Sequence, residues 1–163
     1  MNNVSKEKDL YEPMRLWLYQ FLSDRYKNKE IITIDCHTEK LYKVLHQYDV
    51  SIEQAIGLDI EIDVLGIVKT GKENLLFFIE AKKTDLTIRD LGQLWAYCKL
   101  VNPEMAFLFS SNGIGCFDKI LNVYHRQDML EYFRDKRQTK AMHIAKWDIS
   151  SNMPDLLGMI PTL

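Results

Sequence analysis

The segment spanning residues 59–82 constrains the fold more than any other part of the chain. In its first half, apolar residues alternate with carboxylates, the period of two expected of a β-strand with one buried face. A turn around Gly71 follows, and residues 75–82 begin with an unbroken apolar run, as expected of a strand buried on both faces. We therefore predict a hairpin that sets Asp63 of the first strand beside Glu80 of the second.

The end of this hairpin concentrates charge on an otherwise apolar element. Glu80 and Lys82 directly follow the apolar run and lie two residues apart, on one side of the strand. Charges in such a position are partly desolvated, which is costly unless they are paired. A divalent cation would neutralise the carboxylates, and sites rich in oxygen favour magnesium or manganese. The alternative is a solvated strand face with no site.

These residues resemble a known family. Asp63 followed by Glu80-Ala81-Lys82 resembles the core motif of the PD-(D/E)xK nuclease superfamily, the fold of restriction endonucleases and many repair nucleases. Residues 93–97, QLWAY, resemble the QxxxY element of the subgroup that contains type I restriction-subunit nuclease domains and recombination-repair exonucleases. Residues 107–113 resemble the strand and turn that often follow. The resemblance covers residues 10–113, with Ile62 where the family often has proline.

The resemblance implies a fold and a set of working residues. The fold would be α/β, a restriction-endonuclease-like three-layer α/β/α core with a mixed central sheet flanked by helices. The implied catalytic residues are Asp63, Glu80, Lys82 and Gln93, with Tyr97 in support. The implied ligands of Mg²⁺, for which Mn²⁺ can substitute, are Glu12, Asp63, Glu80 and the backbone carbonyl of Ala81.

Three of these residues have a simpler alternative role. Glu12 lies near the start of a predicted helix, where a carboxylate stabilises the helix dipole without any further role. Gln93 and Tyr97 are four residues apart on a predicted helix and could form an ordinary surface pair.

The remaining patterns predict a single domain over residues 1–163, with a core of about 6–115 and an extension over 116–163. Apolar spacing predicts helices over 6–26, 38–48, 88–101 and 127–136, and strands over 31–35 and 105–109. Thr38 is a candidate cap of the second helix. The last strand follows a crossover helix, so we expect it to be parallel to residues 75–82.

Composition restricts the function classes. A formal net charge of −2 argues against a polybasic nucleic-acid binder but allows a local basic groove. Candidate nucleic-acid contacts are Lys83, Arg134, Lys136 and Arg137, although a solvated helix end also explains the last three. Three cysteines without a metal-ligand pattern fit free thiols in a reducing cytoplasm, and no apolar run is long enough to span a membrane. His37 and His46 are interpreted as surface or packing residues.

The sequence therefore predicts a cytoplasmic, metal-dependent endodeoxyribonuclease of restriction, defence or repair type. The alternative is a nuclease-fold module that binds nucleic acid or protein without cutting, as a subunit of a larger complex. The expected partner is DNA rather than a membrane. A homodimer and association with a separate motor or specificity subunit both stay open.

Overall fold

The computed structural model describes residues 4–163, which form a mixed β-sheet with helices on both faces. The strands are β1 (Glu30–Asp35), β2 (Val64–Lys69), β3 (Asn74–Lys82), β4 (Met105–Ser110), β5 (Glu131–Arg134), β6 (Thr139–Ala141), β7 (His143–Asp148) and β8 (Met153–Pro154). The helices are α1 (Tyr11–Arg25), α2 (Leu41–Gln47) and α3 (Ile88–Val101). Short 3₁₀ turns occur at Glu7–Leu10, Glu53–Ala55 and Gln127–Leu130, and a π-helical segment at Asp118–Val123.

The main sheet has six strands in the order β1-β2-β3-β4-β7-β8. Strand β2 runs antiparallel to its neighbours β1 and β3, whereas β3, β4 and β7 run parallel to one another. The α/β class, the mixed sheet and the parallel β4 are therefore confirmed. None of the helices in the described range is long and apolar enough to cross a membrane.

The predicted hairpin is confirmed, but its first strand is shorter than expected. β2 begins at Val64, which pairs with Asp35 at the end of β1. The residues before Val64 form no strand, although Asp63 and Ile60 accept backbone hydrogen bonds from Cys36 and Leu41. Ile60 and Ile62 are nevertheless buried at 2% and 1% exposure, in the cluster that contains α2. The alternation therefore reports burial correctly, although it overestimates the length of the paired strand.

Helix α1 covers one face of the sheet. Met14, Leu18 and Leu22 recur every four residues and are fully buried, as expected for an amphipathic helix. Two α1 leucines pack directly against Gly66 of β2, where an added Cβ would lie 2.9 Å from Leu22 Cδ1 and 3.0 Å from Leu18 Cδ2. The packing of α1 therefore requires a residue without a side chain at this position.

Helices α2 and α3 cover the other face. Thr87 caps the N-terminus of α3: its hydroxyl accepts the Asp90 N–H at 3.3 Å, and the Asp90 carboxylate accepts the Thr87 N–H at 2.8 Å. At the other end of α3 the C-cap residue Asn102 takes the left-handed conformation with φ of 55°. The prediction that Thr38 caps α2 is wrong, because that helix begins after Lys40 and has no side-chain cap.

The C-terminal extension belongs to the sheet rather than lying outside it, because β7 pairs with β4 and β8 pairs with β7. The predicted helix over 127–136 is wrong: a 3₁₀ turn is followed by the β5–β6 hairpin. Its turn is closed by Asp135, whose carboxylate accepts the N–H groups of Arg137 and Gln138. This local bonding by an aspartate favours a turn over a helix.

Candidate active site

The hairpin brings Asp63 and Glu80 together at one end of the sheet. Val64 is paired with Ile79, so continuing the register by one residue sets Asp63 opposite Glu80. Asp63 Oδ2 accepts the Ala81 N–H at 2.8 Å, which fixes its carboxylate against β3. Because the N–H and C=O of one strand residue face the same side, the Ala81 carbonyl also faces Asp63. The three oxygen-bearing groups predicted from the sequence thus lie together.

Glu80 is buried and paired with Lys82. Its residue exposure is 5%, although it lies at the end of a strand. Lys82 Nζ donates to Glu80 Oε1 at 2.7 Å, and Glu7 Oε1 lies 3.9 Å from the same nitrogen. The structure therefore forms the predicted cluster of two carboxylates and one ammonium, with Glu7 as an additional carboxylate at its border.

Burial raises the pKa of both acids, and the charge of Asp63 adds to the rise at Glu80. Burial, reinforced by the Asp63 charge, raises the pKa of Glu80 to about 7. Burial also raises the pKa of Asp63, although the Ala81 N–H and the Lys82 ammonium oppose the rise. A bound cation would make the ionised form of these two neighbouring carboxyl groups more favourable.

Lys82 is held as an ammonium in the metal-free site. Burial alone would lower its pKa, but the Glu80 charge and hydrogen bond, with the Asp63 and Glu7 charges, raise it overall. The pKa of Lys82 is therefore not lowered in the metal-free site. Its ammonium could instead position and polarise a water molecule.

The acid that the N-terminal region brings to the site is Glu7 rather than Glu12. The Glu12 carboxylate is exposed and held by both Nε and Nη2 of Arg15 at 2.7 Å. Glu7 lies on the 3₁₀ turn before α1, and its Oε2 accepts the Lys83 N–H at 3.3 Å. The simpler interpretation of Glu12, a first-turn carboxylate with a local partner, describes its surroundings better.

Gln93 and Tyr97 form the pair expected from their spacing, with the Gln93 amide 3.4 Å from the Tyr97 hydroxyl. Gln93 is exposed, whereas Tyr97 packs against the core on the α3 side of the sheet. By strand alternation Glu80 projects toward this same side, since Phe78 belongs to that core. Their support of the site stays a prediction.

The basic candidates divide between the two ends of the sheet. Lys83 adjoins the site, with its Nζ 3.4 Å from the Ser5 carbonyl. The β5–β6 hairpin carries Arg134, Lys136 and Arg137, and its Tyr132 hydroxyl donates to the Pro103 carbonyl at 3.1 Å. Pro103 lies two residues before Met105, which pairs with Phe77, so Pro103 is level with Leu75 of β3, about 16 Å from Glu80 at the usual rise per strand residue. These three cations therefore lie far from the carboxylate pair.

Three residues that lie near the site were not assigned to it from the sequence. Burial, reinforced by the nearby Asp63 charge, raises the pKa of the Tyr11 hydroxyl. The ring of His37 lies 4.7 Å from that of Tyr11, centroid to centroid. Cys36 donates its N–H to the Asp63 carbonyl at 3.1 Å. The sequence offered one signal that could have assigned such residues to the site: Glu7 and Tyr11 lie one helical turn apart, just before the apolar stripe.

The oxygen donors of the site determine whether it could hold Mg²⁺. Within residues 4–163, no three acidic, histidine or cysteine side chains form a ready-made metal group. Asp63 and Glu80 supply two carboxylates and Ala81 one carbonyl, which is a set that Mg²⁺ accepts because it keeps several waters in its shell. The donor chemistry therefore fits a magnesium ion bound largely through water and substrate.

Comparison with known proteins gave no further assignment: no family model, no curated protein and no solved structure matches this chain.

Proposed function

We propose that this chain is a metal-dependent deoxyribonuclease with a restriction-endonuclease-like fold, acting as an endonuclease on duplex DNA. The observation that carries the proposal is the buried pair of Asp63 and Glu80, with Lys82 bonded to Glu80 at 2.7 Å. Such a cluster costs stability in the absence of a cation, and sites of this kind are characteristic of function.

The proposed fold is supported by the order of elements around the site. A helix, an antiparallel hairpin, a crossover helix and a parallel strand follow one another as the resemblance to PD-(D/E)xK nucleases requires. The carboxylates occupy the ends of neighbouring strands, and α1 and α3 cover opposite faces of the sheet.

The chain's own residues have distinct tasks in this proposal. Asp63, Glu80 and the Ala81 carbonyl would hold Mg²⁺ or Mn²⁺, which when bound polarises the scissile phosphate and acidifies bound water. The Lys82 ammonium is positioned to donate hydrogen bonds to the attacking water or to a phosphate oxygen. Lys83 offers a cation on the path of the DNA backbone.

A non-cleaving binding module is the second candidate. It is favoured by one observation, that no third acidic, histidine or cysteine side chain completes the metal site within the described residues. Such a module could act in a complex with a separate motor or specificity subunit, or as a homodimer. It would bind DNA without a requirement for the Asp63–Glu80 pair.

The test is cleavage of supercoiled plasmid, linear duplex, single-stranded DNA and RNA by the purified protein in Mg²⁺, Mn²⁺ or EDTA. We expect nicking and linearisation of plasmid with either metal and no reaction in EDTA. Lys82→Ala should abolish cutting while retaining the metal, because the ammonium acts on water and phosphate. Lys72→Ala, on the exposed turn at the other end of the hairpin, is the matched control and should cut normally.

Two results would contradict the proposal. Undiminished cleavage by Lys82→Ala would show that the activity does not use this cluster. Binding of DNA by the wild type without cleavage of any substrate would favour the non-cleaving module.

A further inference from the structure

The loops that follow β3 and β4 border a small cavity beside the candidate site, which we call the Lys83 cavity. It has a volume of about 270 Å³ and is lined by Val4, Lys83, Thr84, Ser111, Asn112 and Ile149. Four of these six residues carry polar side chains, and one of the four is a cation. The volume lies at the lower end of the range for small-molecule sites, so the cavity suits a ligand about as large as one sugar-phosphate unit.

A fully buried serine fixes the polar rim of this cavity. Ser110, the last residue of β4, is 0% exposed, and its hydroxyl donates to the Thr84 carbonyl at 2.6 Å. The same oxygen accepts the N–H groups of Asn112 and Gly113 at 3.1 Å and 3.2 Å. The two loops are therefore tied together before a ligand binds, which reduces the conformational entropy that binding would cost.

The cavity adjoins the candidate site through Lys82. Lys83 follows this residue in the chain, and Ser111 donates its N–H to the Lys82 carbonyl at 3.0 Å. Glu7 contacts both lysines, because one of its carboxylate oxygens lies 3.9 Å from Lys82 Nζ and the other accepts the Lys83 N–H at 3.3 Å. A ligand in the cavity would therefore lie next to a substrate group held at Lys82.

The two lysines project to opposite sides of the sheet end. Ala81 packs in the core beneath α1, and strand alternation places Lys83, two residues later, on that same side. Lys82, which is bonded to Glu80, projects with it to the side of α3. A row of anionic groups that crosses the end of the sheet would therefore meet one ammonium after the other. The successive phosphates of a nucleic-acid strand form such a row.

The rim of the cavity supplies hydrogen-bond donors for an anion. Among the described residues the Lys83 ammonium donates to one group, the Ser5 carbonyl at 3.4 Å, so two of its three N–H groups remain for a ligand. The hydroxyls of Thr84 and Ser111 can each donate one hydrogen bond more. The nearby Asp85 carboxylate is engaged, because it accepts the Asn112 amide at 2.9 Å.

We propose that the Lys83 cavity binds the backbone phosphate next to the one that is cut, a role that rests on the proposed nuclease function. Lys83 supplies the charge, and the hydroxyls of Thr84 and Ser111 donate to the phosphate oxygens. Val4 and Ile149 form the apolar wall against which the adjoining sugar packs. This contact holds the strand in register with Lys82, so its loss weakens the binding of substrate and transition state alike.

The test is a thermodynamic cycle between the protein and one phosphate of the substrate. Single phosphates around the mapped cut are replaced by neutral methylphosphonates, and each duplex is measured with the wild type and with Lys83→Gln. We expect one position next to the cut where the neutral group weakens binding to the wild type by about 10-fold or more, and where Lys83→Gln loses nothing further. Lys83→Gln should also reduce the slope of log affinity against log salt by about 1.

Two hydroxyl variants and two matched controls complete the test. Ser111→Ala and Thr84→Val should weaken DNA binding by about 3- to 10-fold, with kcat and the salt slope unchanged, because each removes one neutral donor. Lys72→Gln on the hairpin turn and Ser51→Ala in the loop after α2 change exposed residues outside the cavity. Both controls should bind and cut as the wild type does.

The outcomes separate this proposal from the proposed function. If each methylphosphonate costs the wild type and Lys83→Gln the same, or if Lys83→Gln and Ser111→Ala behave like the controls, the phosphate site is overturned while the nuclease function stands. Competition by inorganic phosphate without coupling in the cycle would indicate a site for free anions and would overturn it too. A wild type that binds DNA but cuts none would refute the proposed function, and the same cycle measured on affinity would still decide whether the cavity holds a backbone phosphate.

Discussion

Replacing Glu80 with glutamine should stabilise the metal-free protein, and by an amount that depends on pH. The pKa of Glu80 rises from its usual 4.5 to about 7, first through burial and then through the charge of Asp63. A carboxyl with a higher pKa in the folded protein binds more protons when folded, so stability falls as pH rises from about 4.5 to about 7. Glutamine has the same shape, stays neutral and does not titrate.

The magnitude follows from the pKa. The rise from 4.5 to about 7 corresponds to about 3 kcal/mol of lost stability above pH 7. At pH 8 in EDTA, Glu80→Gln should therefore melt about 6–12 °C above the wild type, the shift expected for a chain of this length. At pH 5 the wild-type carboxyl is mostly protonated when folded, and the difference should fall below about 1 kcal/mol.

The assay is thermal unfolding followed by circular dichroism at both pH values, with and without Mg²⁺. Magnesium at a hundred times its dissociation constant should stabilise the wild type by about 2.7 kcal/mol and so nearly close the gap at pH 8. Glu73→Gln, on the exposed hairpin turn, is the control and should change stability by less than about 0.5 kcal/mol. A gap of equal size at pH 5 and pH 8, or no gap at all, would refute the electrostatic argument.

Two further predictions test the packing and the N-terminal acid. Gly66→Val should destabilise the protein by about 1–3 kcal/mol in thermal melts, because its side chain would overlap the α1 leucines. Gly92→Ala, in open space on α3, should instead raise stability by up to about 1 kcal/mol; destabilisation there, or tolerance at Gly66, would contradict the packing. Glu7→Gln should slow magnesium-dependent cleavage more than Glu12→Gln does, because only Glu7 lies near Lys82; the reverse order would restore Glu12 as the N-terminal acid of the site.

The parts of the fold that the sequence predicts well are those with one dominant local signal. The β2–β3 hairpin follows from a strand alternation and an apolar run on either side of Gly71, and α3 follows from an apolar stripe. Residues 127–136 gave a mixed signal, because four apolar residues in five positions fit a short helix and an edge strand alike. There the Asp135 turn decided the outcome, through backbone bonds that the apolar pattern does not include.

The site was predictable where its residues are close along the chain. Glu80, Ala81 and Lys82 belong to one strand, and the hairpin register brings in Asp63. Glu7 and His37 could not be assigned in this way, because their positions depend on where α1 begins and how β1 ends. Tyr11 and His37 lie 26 residues apart in the sequence, and only the packing of α1 beside β1 brings their rings together.

The most direct test of the account is a Mn²⁺ titration, followed by electron paramagnetic resonance, of the wild type, Asp63→Asn, Glu80→Gln and Lys82→Ala. Asp63 and Glu80 are the two side chains that we assign to the ion, whereas the Lys82 ammonium repels it. We predict one bound ion in the wild type, equal or tighter binding in Lys82→Ala, and binding at least ~10-fold weaker in each carboxylate variant. Equal affinity in all four proteins, or no binding by the wild type, would contradict a metal site at Asp63 and Glu80.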